Sequence, residues 1–142
     1  MLNSDYIVGL VDGEGSFTAY VRNLDEKKLV KRRILVEPRF YLKLREDDRE
    51  VLYQLKKFFD CGNVYFQKDK RKNHKNCYRY EVANRNDLEK NIIPFFKHNH
   101  LKLFSKRKDF KIFCKIMEKI KKKEHLTKSG LEKIYNLKRK MH

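Results

Sequence analysis

Residues 6–17 read YIVGLVDGEGSF, and the rest of the chain is best read outward from them. Gly9 and Gly13 stand four apart in an apolar run, so on a helix they share one face. A face without side chains lets a second backbone come close. The run ends at Glu14, and Gly15-Ser16-Phe17 opens a strand-like segment. This order predicts a tightly packing helix with a carboxylate at its end. Taken alone, D-G-E-G also fits a helix C-terminal turn with a solvated Glu14.

The helix is predicted over residues 4–13, with Ser4 or Asp5 as N-cap. Residues 16–23 then alternate, with Phe17, Ala19 and Val21 opposed to Ser16, Thr18, Tyr20 and Arg22. A polar loop over 23–31 leads to a second strand over 33–44. There Ile34, Val36, Phe40, Leu42 and Leu44 share one parity, and Arg39, Tyr41 and Lys43 the other. Pro38 removes a ladder donor and predicts a bulge or an edge position. Both strands therefore carry basic and aromatic residues on the face away from the core.

Asp47-Asp48-Arg49-Glu50 reads as a capping box before an amphipathic helix carrying Val51, Leu52, Leu55, Phe58 and Phe59, with Gly62 as its stop. Strands are predicted at 63–68 and 77–83, joined by the basic loop KDKRKNHK. Asn84 or Asn86 starts a helix to about residue 97 that Pro94 should end or kink. A basic helix over 106–122 turns Phe110, Phe113, Ile116, Met117 and Ile120 inward. Thr127 or Ser129 caps a last helix through about residue 140, with Leu131, Ile134, Tyr135 and Met141 on its apolar side. The expected class is α+β, in the order αββαββα plus C-terminal helices, as one domain over 1–142.

The 142 residues include 36 Lys and Arg against 19 Asp and Glu, a formal net charge of +17. Such a surplus repels itself and is understandable if a polyanion is the partner. Charge alone leaves ribosome binding, nucleic-acid enzymes and membrane-surface binding open. No apolar run is long enough for a membrane span, and residues 1–6 show no signal pattern. Cys61, Cys77 and Cys114 are an odd, widely spaced set that reads as reduced thiols in an intracellular protein. Cys61, His74 and Cys77, or His98, His100 and Cys114, lack zinc-finger spacing. There is no P-loop, dinucleotide glycine pattern or nucleophile elbow.

The opening stretch resembles the signature of the LAGLIDADG homing endonucleases, with residues 7–15, IVGLVDGEG, on the nine motif positions. The resemblance implies a saddle of antiparallel strands backed by helices, in the element order already found. It also implies a site-specific double-strand DNA endonuclease encoded by a mobile intron. One-motif members act as homodimers, each subunit reading half of a long, roughly palindromic site. Metal-assisted hydrolysis then cuts both strands across the minor groove, leaving 3′ overhangs.

By that resemblance Glu14 is the catalytic metal ligand, with the Gly13 carbonyl beside it. Mg²⁺ is the expected ion, with Mn²⁺ or Ca²⁺ able to substitute for binding. Glutamate replaces the aspartate that ends the named pattern and keeps a hard oxygen donor. Gly9, Leu10, Asp12 and Gly13 are expected at the dimer interface, although Asp12 also fits a C-terminal turn residue. Lys106 is the expected active-site lysine, with Lys108 as runner-up. Where relatives hold a water with glutamine, this chain has Leu44, and Arg45 or Glu46 are the substitutes.

The strand face away from the core would lie in a DNA major groove. Thr18, Tyr20, Arg22, Arg33, Arg39, Tyr41 and Lys43 form its first part. Tyr65, Gln67 and Arg79, with Lys70, Arg71, Lys72 and His74 in the hairpin loop, extend it. The competing roles are an RNA maturase acting on the host intron and a DNA-binding regulator that no longer cleaves. The expected location is a bacterial or archaeal cytoplasm or an organelle.

Overall fold

The computed structural model describes residues 1–22 and 35–142. Helix α1 runs Ser4–Glu14 and is capped by Asn3, whose side chain accepts from the Tyr6 amide at 2.8 Å. The cap thus falls one residue before the expected Ser4. The chain turns at Gly15 straight into β1, Gly15–Val21. A Cβ on Gly15 would stand 2.6 Å from the Val11 side chain, so only glycine allows this abrupt junction.

β1 pairs antiparallel with β2, Val36–Arg45, and β2 with β4, Cys77–Val82, whose other neighbour is β3, Asn63–Gln67. The sheet order is β1-β2-β4-β3. The expected start of the second strand at Arg33 and Ile34 lies outside the described residues. Pro38 pairs with Ala19, and β4 joins β2 only from Phe40 onward. The proline therefore sits where β2 has one neighbour, and its missing N–H leaves no gap in the ladder.

Period-two burial holds through the sheet. Phe17, Ala19, Val21, Val36, Phe40, Leu42, Tyr80 and Val82 are buried on one face. Against them pack α1, α2 (Arg49–Phe59), the helical segment from Arg85 to His98, and α5 (Phe104–Lys121). Phe17 is a hub, with ring centroids of Phe40, Phe96, Phe110 and Phe113 at 5.0–5.4 Å. Replacing Phe17 by Ala should cost about 3–5 kcal/mol of stability, read as a lower denaturant midpoint. A smaller core sits under α6, Lys128–Arg139, where Leu131 and Ile134 meet Ala19, Val21, Ile112 and Ile116.

Three local expectations change. The capping box before α2 does not form: Glu46–Asp48 make a 3₁₀ turn, Asp48 makes no capping bond, and Asp47 pairs with Lys75. That lysine holds the Asp47 carboxyl below its usual range. Helix α2 stops at Asp60 in the left-handed conformation (φ 55°) rather than at Gly62. Gly62 has its own requirement, since at φ 82° a Cβ would lie 2.7 Å from the Glu81 carbonyl. Pro94 does not end the helical segment; the irregularity falls just before it. The short α3, Arg85–Asp87, widens into a π turn at Leu88–Ile92, and Pro94 enters the first turn of α4, Ile93–His98. Asn84, one of the two expected starters, caps α3 by accepting from the Asp87 amide at 3.1 Å.

Candidate active site and nucleic-acid interface

Helix α1 buries Ile7, Val8 and Val11 against the core and turns Tyr6, Gly9 and Gly13 outward. Nothing lies within 4 Å of a Cβ placed on Gly9 or Gly13. The flat face read from the glycine spacing is thus open. Glu14 ends the helix, exposed, at the edge of this face.

Asp12 behaves differently from the expectation that put it on the open face. It is buried, and its carboxylate accepts from the backbone N–H groups of Lys102, at 2.9 and 3.1 Å, and of Leu103, at 3.2 Å. These bonds fix the segment before α5 to the end of α1. Helical spacing explains the turn inward: Asp12 lies four residues after Val8 and one after Val11, on the packed side.

One consequence is the place of Lys106. It stands in the first turn of α5 rather than before it, and its Nζ donates to the Gly15 carbonyl, next to Glu14 in sequence. Lys108 is exposed and lines a separate groove with Phe104 and Lys111, so Lys106 is the lysine brought to the end of α1. Leu103, 50% exposed, flanks the same end of α1, and Phe104, 72% exposed, follows it into the separate groove. Sequence reading missed them, because only the Asp12 bonds reveal where the segment lies. Among the described residues no group of three or more His, Cys, Asp or Glu side chains is placed to hold a metal ion. One chain thus offers the Glu14 carboxylate and neighbouring carbonyls.

The outer face of the sheet carries Ser16, Thr18 and Tyr20 on β1, Arg39, Tyr41 and Lys43 on β2, and Arg79 on β4. Tyr65 stands beside Arg79 in register. The Arg79 guanidinium lies 3.7 Å from the Tyr41 ring centroid. The hairpin-loop residues Lys70, Lys72 and His74 are exposed. Arg71 makes a two-pronged pair with Asp69, 3.1 and 2.8 Å, which keeps that carboxyl well below its usual range. Leu44 packs toward the core and offers no polar group.

The basic surface extends beyond the strands. A concavity of about 780 Å³ is lined by Thr18, Tyr20, Arg39, Tyr41 and Arg79 from the sheet and by Tyr135, Lys138 and Arg139 from α6. Lys138 donates to the Thr18 hydroxyl at 2.7 Å. After α6, the His142 amide and ring both meet the Asp109 carboxylate, at 2.9 and 3.1 Å, anchoring the last residues to α5. The basic run KRKMH at the end of the chain was the available signal for these residues. The sheet face to which α6 belongs was not readable from it.

All three cysteines are free, and burial pushes the Cys114 thiol up to about 11. No helix among the described residues is long and apolar enough to cross a membrane.

Similarity to known proteins agrees with this geometry. Over 109 residues the chain is 36% identical to a probable intron-encoded DNA endonuclease 1 of Mycosarcoma maydis, covering 77% of this chain and 35% of that protein. It is 32% identical over 134 residues to a probable intron-encoded endonuclease 3 of Neurospora crassa, 94% of this chain and 23% of that one. The chain therefore spans only about a quarter to a third of these relatives. Among solved structures, the homing endonuclease I-TnaI matches with a TM-score of 0.81 at 38% identity, covering 99% of this chain and 88% of that one. I-SmaMI bound to an uncleaved DNA target in the presence of calcium matches with a TM-score of 0.82 at 34% identity, covering all of this chain and 45% of that one. The LAGLIDADG endonuclease family model matches residues 7–117, and with an open glycine face, a helix-end glutamate and a basic antiparallel sheet on the page, the chain belongs to that family.

Proposed function

We propose that this protein is an intron-homing DNA endonuclease that works as a twofold homodimer with Mg²⁺. The observation that carries this reading is the exposed Glu14 at the end of an uncovered glycine face, with Lys106 donating to the carbonyl of the next residue, Gly15. A single carboxylate per chain is half of a site. Two α1 helices crossing at Gly9 and Gly13 bring two Glu14 side chains together, with Leu103 at the border of the contact. The duplex lies along the two outer sheet faces, so the paired acids face its backbone.

The donor set suits a hard cation: carboxylate oxygen from Glu14 and carbonyl oxygen from Gly13. Such an ion, when bound, stabilises charge on the attacking and leaving oxygens. Mn²⁺ and Ca²⁺ take the same oxygen ligands, and the calcium present with I-SmaMI supports that choice. Lys106 has its ammonium oriented by the Gly15 carbonyl, where it orders an attacking water or stabilises the developing phosphate charge. Arg39, Tyr41, Lys43, Arg79 and the α6 end hold and read the duplex. The free cysteines suit a reducing intracellular compartment.

Cleavage of a DNA containing the intron-insertion site tests the reading, with wild type and Lys106→Met compared on one target. Lys106→Met should slow cleavage about 100-fold and leave site binding within a few-fold of wild type. A second expectation concerns salt. With a charge of +17 per chain, a dimer neutralising about 10 phosphates should show a log–log salt slope near −9. A shallow slope, or equal binding to RNA hairpins and duplex DNA, would favour a maturase acting on host intron RNA.

A further inference from the structure

The outer face of the four strands holds two acids, Glu37 and Glu81, in a field of cations. Glu81 Oε1 accepts from Arg79 Nη2 at 2.7 Å and stands 3.5 Å from Arg39 Nη1. Arg39 Nη2 meets Glu37 Oε1 at 2.9 Å. Tyr41, directly opposite Glu81 in register, supports the Arg79 guanidinium from its ring face. Glu81 is the most shielded member, its side chain 16% exposed against 22% for Arg79 and 34% for Arg39.

A carboxylate here is costly if the partner is a polyanion, because it repels phosphates and cancels a cation. What it supplies is geometry. An arginine on a free stem meets any phosphate within reach, which carries no sequence information. A guanidinium held in one plane can present its fork to the O6 and N7 edge of guanine, and a bound carboxylate removes the entropy of finding that plane. Glu81 engages one Nη of each guanidinium, and Glu37 takes the second Nη of Arg39. Nε of both arginines is buried, so the remaining Nη N–H groups, above all those of Arg79 Nη1, are the donors left to face a base.

The geometry points to Glu81 as a specificity-determining residue: it positions Arg79 and Arg39 to read guanine edges in duplex DNA and weakens their hold on non-cognate backbone. This rests on the DNA-binding reading above. Glu81 itself acts as a positioning residue, since its oxygen is engaged by the two arginines. Glu81→Gln removes the charge and loosens both guanidiniums. Glu81→Asp keeps the charge and draws it back by one methylene.

The experiment enriches a randomised duplex DNA library on wild type, Glu81→Gln, Glu81→Asp, Arg79→Ala and Arg39→Ala, and also measures affinity for one mixed-sequence duplex. Wild type should select guanines at positions that Arg79→Ala and Arg39→Ala flatten. Glu81→Gln should flatten the same positions about 10-fold while binding the mixed-sequence duplex several-fold more tightly. Glu81→Asp should lose preference at those positions with mixed-sequence affinity unchanged, which keeps the test alive if Glu81→Gln does not fold. A merely structural role would weaken selected and mixed-sequence duplexes together and lower the melting temperature. That result overturns the proposal, as does a base preference matching wild type at every position. A wild type that enriches no sequence at all removes the DNA reading and this inference with it.

Discussion

Glu14→Gln is expected to abolish DNA cleavage while leaving target binding intact or stronger. Glu14 is the carboxylate that the end of α1 exposes beside the open glycine face. Asp12, two residues earlier, is held by the Lys102 and Leu103 amides and cannot take its place. Glutamine preserves the length and the hydrogen-bonding carbonyl but removes the charge that holds a hard divalent ion. Losing several kcal/mol of charge stabilisation predicts a rate reduced on the order of 10³-fold or more. Two fewer negative charges near the phosphates should tighten binding, most visibly at low salt. Single-turnover cleavage in Mg²⁺ and filter binding on the same duplex separate the two effects. Near wild-type cutting by the variant would refute the metal assignment and the mechanism built on it.

The second large effect is expected from Gly13→Leu. In the isolated chain the side chain has room, because nothing lies within 4 Å of a Cβ at this position. The substitution should leave the monomer folded, and any fall in melting temperature should track the lost association. Glycine is also a poor helix former, so leucine should if anything favour α1. In a dimer whose α1 helices cross at this point, the same side chain separates the backbones. Association should weaken about 100-fold or more, and cleavage should fall with it at fixed protein concentration. Sedimentation at several concentrations, with and without DNA, reads the first quantity. A wild-type chain that stays monomeric on its DNA target would remove the homodimer from the proposal.

The two substitutions fail in different ways. Glu14→Gln keeps the assembly and loses chemistry. Gly13→Leu keeps the chemical groups and loses the assembly. Adding the two inactive proteins together cannot restore a symmetric pair of acids, whereas Lys106→Met keeps both acids and leaves residual cutting. Ordering the three by residual activity therefore tests the division of labour along one helix end.

The amino-acid sequence by itself determined the sheet and its two faces. Alternation at Phe17, Ala19 and Val21, and again at Val36, Phe40 and Leu42, is a local property of extended backbone, and all six side chains are buried on one face. It placed Arg39 and Tyr41 outward and separated α5's inward residues from its lysines, because helical period is equally local. The nine motif residues located the open face and its terminal acid. Glu81 shares the parity of Arg79, but parity does not show that its carboxylate meets two guanidiniums, which depends on how β2 and β4 pair.

What only the tertiary structure decided are the relations across distant parts of the chain. Asp12 reaches residues 102 and 103, Lys106 reaches Gly15, and Lys138 reaches Thr18. None has a periodic signature, since each depends on where two elements come to rest after the core has packed. The same cause shifted helix ends. Asp60 takes a left-handed turn that glycine usually takes, and a π turn precedes Pro94 in a segment that buries Leu88, Ile92, Ile93 and Phe96. Local pattern set which side of each element faces the core. Packing set which residues meet at the end of α1, where the chemistry is proposed to occur.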